Sequence, residues 1–464
     1  MARDLARAAG ATGPPGPEPA DMLRSLPAIR RDPLGYLEDC RDRWGDVVAF
    51  PAPRTPVWLV SDPAAARRVL QDNHPAYDKR TIQYDALATV TGQGLLTSDP
   101  PLWRRQRRLL QPAFHRDALG GAARAAVTAA DRVDAEWAAT AADVVVDVDA
   151  SMLRATLDVV AGAVLGADLD HGTDEVTSSV LGALETVVRR ARSPLRPPPA
   201  VPTPGNLRLR RHLRTLDAAV ARVVAQHRRV PAGEGRAADL VDLLLAAVDD
   251  PEQEVDDRLL RDEVATMVVA GHETVASALT WTWHLLAGAP QAQERLHAEL
   301  DDVLGGRPPP HDDVPRLAWT RAVVDEALRL YPPAWVVTRR AVAPDELLGH
   351  ALPAGALVIV SPWVVQRHPA VWREGHRFLP ERFLPGGEEV PRGAYLPFGA
   401  GPRLCIGRDF ALVESVLLLA ALAQRWRVRP GPGGPPRVES LVTLRPAHGL
   451  PLALERRAPV TAGR

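Results

Sequence analysis

Residues 259–287 carry the longest unbroken helical period in the chain, with apolar side chains at Val264, Met267, Val268, Val275, Leu279 and Leu286. Helical spacing recurs over 119–226, 290–304, 316–330 and 413–425. The proline-rich stretch 193–204, with Pro194, Pro197, Pro198, Pro199, Pro202 and Pro204, cannot continue a helix and reads as a surface loop. Strand signals are short: Val47–Phe50 and Val57–Val60 around a Pro-containing turn, then 347–350 and 357–361. Asp62-Pro63 supplies a cap and first turn for a helix over 64–71, whereas 77–98 shows no clear period and reads as a long loop. The expected architecture is mainly α with a small β-rich part at about 46–75 and 338–375. It forms one domain over 31–464, behind a flexible Pro/Gly-rich leader at 1–30.

A formal net charge of -1 argues against a polyanion-binding protein, so no nucleic-acid partner is expected. The N-terminus has arginines and prolines but no apolar core, and nowhere do about 20 apolar residues run together. Neither a secretory signal nor a membrane anchor is expected. The 2 cysteines, Cys40 and Cys405, lie in unrelated contexts and indicate no disulfide framework, which points to a reducing compartment; a cytoplasmic protein is expected, and a monomer. Lys79 is the only lysine; with so much Ala, Arg and Pro this reads as codon bias in a GC-rich genome.

A lone cysteine is usually a small buried hydrophobe, and that reading suits Cys40. Cys405 stands in Phe398-Gly399-Ala400-Gly401-Pro402-Arg403-Leu404-Cys405-Ile406-Gly407. This segment resembles the haem-binding signature of the cytochrome P450 superfamily, matching its fixed Phe398, Gly401, Arg403, Cys405 and Gly407. At ~5% usage per residue, such a match arises by chance below about once in a million starting points. A thiolate ligand needs its charge stabilised and pushes electron density onto iron. Glycines at 401 and 407 permit close backbone approach and turn conformations closed to other residues. The following helix offers its N-terminus to the sulfur, Arg403 is placed for a haem propionate, and Phe398 shields the thiolate.

Further motifs follow in family order. Glu326-Ala327-Leu328-Arg329 is similar to the family's Glu-x-x-Arg, and Pro380-Glu381-Arg382-Phe383 supplies a second arginine. The resemblance implies a buried Glu326–Arg329–Arg382 network that is structural. Trp103-Arg104-Arg105-Gln106-Arg107 is similar to the Trp-x-x-x-Arg helix, which gives Trp103 and Arg107 a propionate, and Arg339 takes the position of another propionate-binding arginine. Ala270-Gly271-His272-Glu273-Thr274 resembles the oxygen-activation motif. Gly271 would leave room for O2, Ala270 and Thr274 share one helix face, Thr274 would bond the backbone one turn back, and Glu273 would relay protons. His272 turns off that face and reads as packed or exposed.

The resemblance implies a helical prism enclosing haem b and a monooxygenase that inserts one atom of O2 into a lipophilic small molecule. Electrons would come from NAD(P)H through a separate ferredoxin and ferredoxin reductase, with Arg104, Arg105, Arg108 and Arg408 facing an acidic donor. The sequence Tyr331-Pro332-Pro333-Ala334-Trp335, followed by Thr338-Arg339-Arg340, is similar to bacterial terpene-oxidising members. A terpenoid is therefore the favoured substrate class, with steroids and fatty acyl chains as other fits. Two other readings are a peroxygenase that uses hydrogen peroxide, which would dispense with Glu273 and Thr274, and a haem-binding sensor, which has no need of Gly271, Glu273 and Thr274 together.

Overall fold

The structure is a computed structural model that describes residues 13–52, 55–140, 145–166, 173–192, 201–230 and 238–458. Residues 1–12 of the expected leader and 193–200 of the proline-rich break lie outside these. The chain divides into two compact units: Met1–Tyr84, Ala334–Arg377 and Glu389–Cys405 form one, and Asp85–Pro333, Phe378–Glu388 and Ile406–Arg464 the other.

The first unit is organised by a five-stranded sheet in the order Val47–Phe50, Val57–Val60, Leu357–Val360, Val337–Ala341, Tyr77–Asp78. Its pairs are antiparallel except Val57–Val60 with Leu357–Val360, which runs parallel. Alternation along the strands sends Val47, Trp58, Val60, Val358 and Val360 into one apolar cluster and Val48, Phe50 and Leu59 into another. Both faces are therefore covered, as the nearly continuous Val/Ile/Leu runs require. Cys40 is fully buried in the second cluster, and burial pushes its thiol up to about 11, so it is the inert core residue the sequence reading made of it.

The leader is a correction. A helix spans Pro19–Arg31, with proline in its first turn, where no N–H is needed. Upstream, the Ala49 N–H donates to the Pro15 carbonyl at 2.9 Å. Gly16 lies so close that a Cβ there would meet the Ala49 oxygen at 1.9 Å. Residues 77–98 are likewise more than a loop, holding the strand Tyr77–Asp78 and a helix over Ile82–Thr91. That helix buries Tyr84, Leu87, Val90 and Thr91, a three-residue spacing masked in sequence by the intervening Gln, Asp and Thr.

The second unit is helical, with the 31-residue helix Asp257–Ala287 at its centre. Asp256 caps it by accepting from the Leu259 N–H at 2.7 Å, and the helix is buried on nearly every side. Helices Val148–Ala163, Pro204–Arg229, Ala318–Leu330 and Arg408–Ala423 pack on it. Small antiparallel sheets complete the unit: Val145–Asp147 with Pro451–Arg456 and Trp426–Pro430, and the hairpin Val438–Ser440 with Leu444–Pro446. The expectation of a mainly α protein with a small β part holds. No described helix is long and apolar enough to cross a membrane.

Candidate functional site

In the first unit, the cysteine segment is shaped by glycines. Gly399 and Gly401 adopt φ of 72° and 67°, a region where a Cβ is strained, and a Cβ on Gly401 would meet the Leu70 carbonyl oxygen at 2.4 Å. Gly401–Arg403 form a single 3-10 turn, after which the Cys405 N–H donates to the Phe398 carbonyl at 3.0 Å. This closes a tight loop on an exposed cysteine that forms no disulfide among the described residues. Gly407 differs from expectation: its φ is -91° and a Cβ would stand 3.5 Å from the Phe114 ring, an ordinary contact. It serves as the N-cap of Arg408–Ala423, and the special backbone belongs to Gly399 and Gly401. Arg403 and Phe398 are half-buried.

The same unit separates two neighbouring arginines. Arg340 is committed to Asp78, with Nη2 2.6 Å from Oδ2. Arg339 is buried and donates to Tyr84 Oη at 3.2 Å and to the Thr338 carbonyl at 2.9 Å, with no carboxylate paired to it among the described residues. Lys79, also buried, places Nζ 4.7 Å from the centroid of the Tyr84 ring. Two buried cations thus gather at one tyrosine. The sequence reading passed over Lys79 and Tyr84, although a lysine kept alone among so many arginines was the available signal.

In the second unit, Ala270, Gly271 and Thr274 are partly exposed in the middle of an otherwise buried helix. Thr274 Oγ1 donates to the Ala270 carbonyl at 2.7 Å, the bond one turn back that the sequence implied. Gly271 does a different job from the one expected. A Cβ there would meet Val160 Cγ2 at 2.9 Å, so the bare backbone lets helix Val148–Ala163 pack closely. Gly271→Ala should lower stability by about 1 kcal/mol net, because overpacking against a stiff valine outweighs the helix-propensity gain. Val160→Ala should relieve the loss; a Gly271→Ala denaturation midpoint at or above wild type contradicts the packing role.

His272 is fully buried and packed, and burial drives its imidazole down to about 3, leaving it neutral. Glu273 is buried, burial raises its carboxyl, and it accepts a hydrogen bond from Thr443 Oγ1 at 2.9 Å. Thr443 is 170 residues away in sequence and carries no motif that could have disclosed the pairing.

The Glu-x-x-Arg pair is a two-point ion pair: Arg329 Nε and Nη2 each lie 2.7 Å from a Glu326 oxygen, with both side chains wholly buried. Glu326 also accepts from the Leu379 N–H at 2.9 Å and faces Arg382 at 3.5 Å. The expected three-residue network is present and fastens helix Ala318–Leu330 to the turn Pro380–Phe383. On helix Leu102–Leu110, Trp103 is buried, Arg107 half-buried, and Arg104 and Arg108 exposed. Arg105 is ion-paired with Glu254 and Arg408 with Asp409, both in solvent-exposed pairs.

The sequence matches the model of the family Cytochrome P450 over residues 14–450. The chain belongs to the cytochrome P450 family. It is similar to cyclooctatin synthase of Streptomyces melanosporofaciens, at 39% identity over 91% of this chain and 92% of that protein. It is also similar to pentalenene oxygenase of Streptomyces avermitilis, at 35% identity over 93% and 94%. Cyclooctat-9-en-7-ol 5-monooxygenase of Streptomyces melanosporofaciens is 36% identical over 90% of both chains. This P450 is a monooxygenase, and its family implies haem, O2, a lipophilic substrate and a supply of electrons. The residues fit a haem on their own evidence: an exposed cysteine in a glycine-shaped loop, and a buried arginine with no carboxylate paired to it among the described residues.

Proposed function

We propose that this P450 binds haem b (iron protoporphyrin IX) through the Cys405 thiolate and hydroxylates or epoxidises a terpenoid. The observation that carries the reading is Cys405 itself, exposed at the end of a loop closed on the Phe398 carbonyl, while Cys40 is shut in the core. Bound there, the haem supplies O2 activation and oxygen-atom transfer. Arg339, Trp103, Arg107 and Arg403 hold its carboxylates, Phe398 shields the sulfur, and Gly407 starts the helix after it. We assign oxygen activation to Ala270 and Thr274, which are partly exposed on the long helix, and proton delivery to Glu273. Glu326, Arg329 and Arg382 maintain the fold.

The three Streptomyces relatives are named for cyclooctatin, pentalenene and cyclooctat-9-en-7-ol, which supports a cyclic terpenoid over a steroid or fatty acyl chain. Apolar Leu95, Val268 and Val269 suit such a substrate. We assign the electron supply to a ferredoxin and its NAD(P)H-dependent reductase, docking on exposed Arg104 and Arg108, and place the enzyme in the cytoplasm as a monomer.

Titration of the holoenzyme with cyclic terpene hydrocarbons and alcohols, fatty acids and steroids tests the substrate class. A saturable Soret shift with the terpenes, and oxygenated product once a ferredoxin and reductase are added, is the expected result. A shift and product only with fatty acids or steroids overturns it. Thr274→Ala should retain haem and substrate binding while product per NAD(P)H falls by about tenfold or more and hydrogen peroxide rises in its place. Unchanged product per NAD(P)H removes Thr274 from the proton path.

A further inference from the structure

The long helix turns two faces to different surroundings. Ala270 and Thr274 lie on the open one. Glu273, Ser277 and Trp281, spaced by four, meet the turn that leads into strand Leu444–Pro446. Ser277 Oγ and Trp281 Nε1 both donate to the Leu444 carbonyl, at 2.6 and 3.0 Å, and the Leu444 N–H donates to the Pro333 carbonyl at 3.3 Å. This pinned turn carries Thr443, whose hydroxyl supplies the Glu273 carboxyl with its one hydrogen bond among the described residues. Glu273 makes none to Thr274, whose own hydroxyl is occupied by the Ala270 carbonyl.

We propose that Thr443 is a positioning residue for Glu273, holding its carboxyl at rest against the Leu444–Pro446 turn, from which it must be released to pass a proton toward Thr274. The proposal rests on the reading of Glu273 as the proton-delivering acid. In the transfer, Glu273 gives up its carboxyl proton, becomes a carboxylate and is reprotonated from solvent. The charged and titratable groups facing it are Arg445 on the same strand and Asp149 on helix Val148–Ala163, which are ion-paired with each other; Asp149 also accepts from Thr280 at 3.1 Å. Burial raises the Glu273 carboxyl, while Arg445 and the Thr443 hydrogen bond oppose the rise and Asp149 adds to it. His272 beside it stays neutral. Removing the Thr443 hydroxyl takes a donor from the charged form, so Glu273 should ionise at higher pH.

The test is an infrared pH titration of the resting holoenzyme, with the Glu273 band identified by its disappearance in Glu273→Gln. Thr443→Val, close in shape, should raise the midpoint of the protonated-carboxyl band by about one pH unit, a tenfold change in the ionisation constant, and Thr443→Ser should restore it. The alkaline fall in product per NAD(P)H should move up by the same amount in Thr443→Val. An unmoved infrared midpoint in Thr443→Val overturns the role of Thr443. If the midpoint moves but Glu273→Gln keeps wild-type coupling and its alkaline fall, the acid is not the relay, and the underlying reading fails.

Discussion

Cys405→Ala abolishes monooxygenase turnover, and reduced protein treated with carbon monoxide loses the long-wavelength Soret band of a thiolate-bound haem. The effect is expected to be complete because no other group can replace the sulfur. Cys40 is wholly buried in the first unit, with its thiol pushed up to about 11 by burial, so it is neither reachable nor ionised at neutral pH. Alanine leaves no donor, and the electron push that favours O–O cleavage goes with the thiolate. Because Cys405 is exposed and its loop is held by backbone bonds and the Gly401 turn, the variant should fold with a denaturation midpoint near wild type. Full turnover in Cys405→Ala, measured with the same redox chain as wild type, contradicts the assignment.

Glu326→Ala has the largest expected effect on stability. It removes the carboxylate that takes two hydrogen bonds from Arg329 and one from the Leu379 N–H, and that faces Arg382. The Arg329 guanidinium, with no exposed surface, is then left as a buried charge without its counter-ion. Breaking such a pair from one side costs about 3–5 kcal/mol, a large fraction of the ~5–15 kcal/mol that a domain has in hand. Low holoenzyme yield and a denaturation midpoint well below wild type are expected. Glu326→Gln, which keeps the shape and part of the hydrogen bonding, should fall between the two. A midpoint within error of wild type for Glu326→Ala would mean that the network is not what fastens the Ala318–Leu330 helix to the Pro380–Phe383 turn.

The features legible in sequence were those whose signal is local. Helix Asp257–Ala287 announced itself through an uninterrupted apolar period. Residues 398–407 and 326–329 carry their chemistry at fixed short spacings, and Glu326 with Arg329 are one helical turn apart and pair as expected. Arg339 and Arg340, adjacent and alike in sequence, are told apart only by partners brought in from afar, Tyr84 for one and Asp78 for the other. Features that depend on distant contacts were hidden or misread. Gly271 reads as room for a small ligand until Val160 is seen against it. Gly407 sits in a signature position yet has ordinary backbone, whereas Gly399, which needs the left-handed region, is a variable position of the motif. Thr443 meets Glu273 only because Ser277, Trp281 and Pro333 fix the turn that carries it. The helix Pro19–Arg31 was obscured by proline content: Pro19 stands in its first turn, where no N–H is needed, and the helix continues through an interior Pro27.

The carbon monoxide difference spectrum of the reduced, purified wild-type protein tests thiolate ligation by Cys405 most directly. A Soret band at the long-wavelength position of a thiolate-ligated haem, absent in Cys405→Ala, is the result expected here. A band at the position of a histidine-ligated haem in properly folded protein, or the same thiolate band persisting in Cys405→Ala, would contradict it.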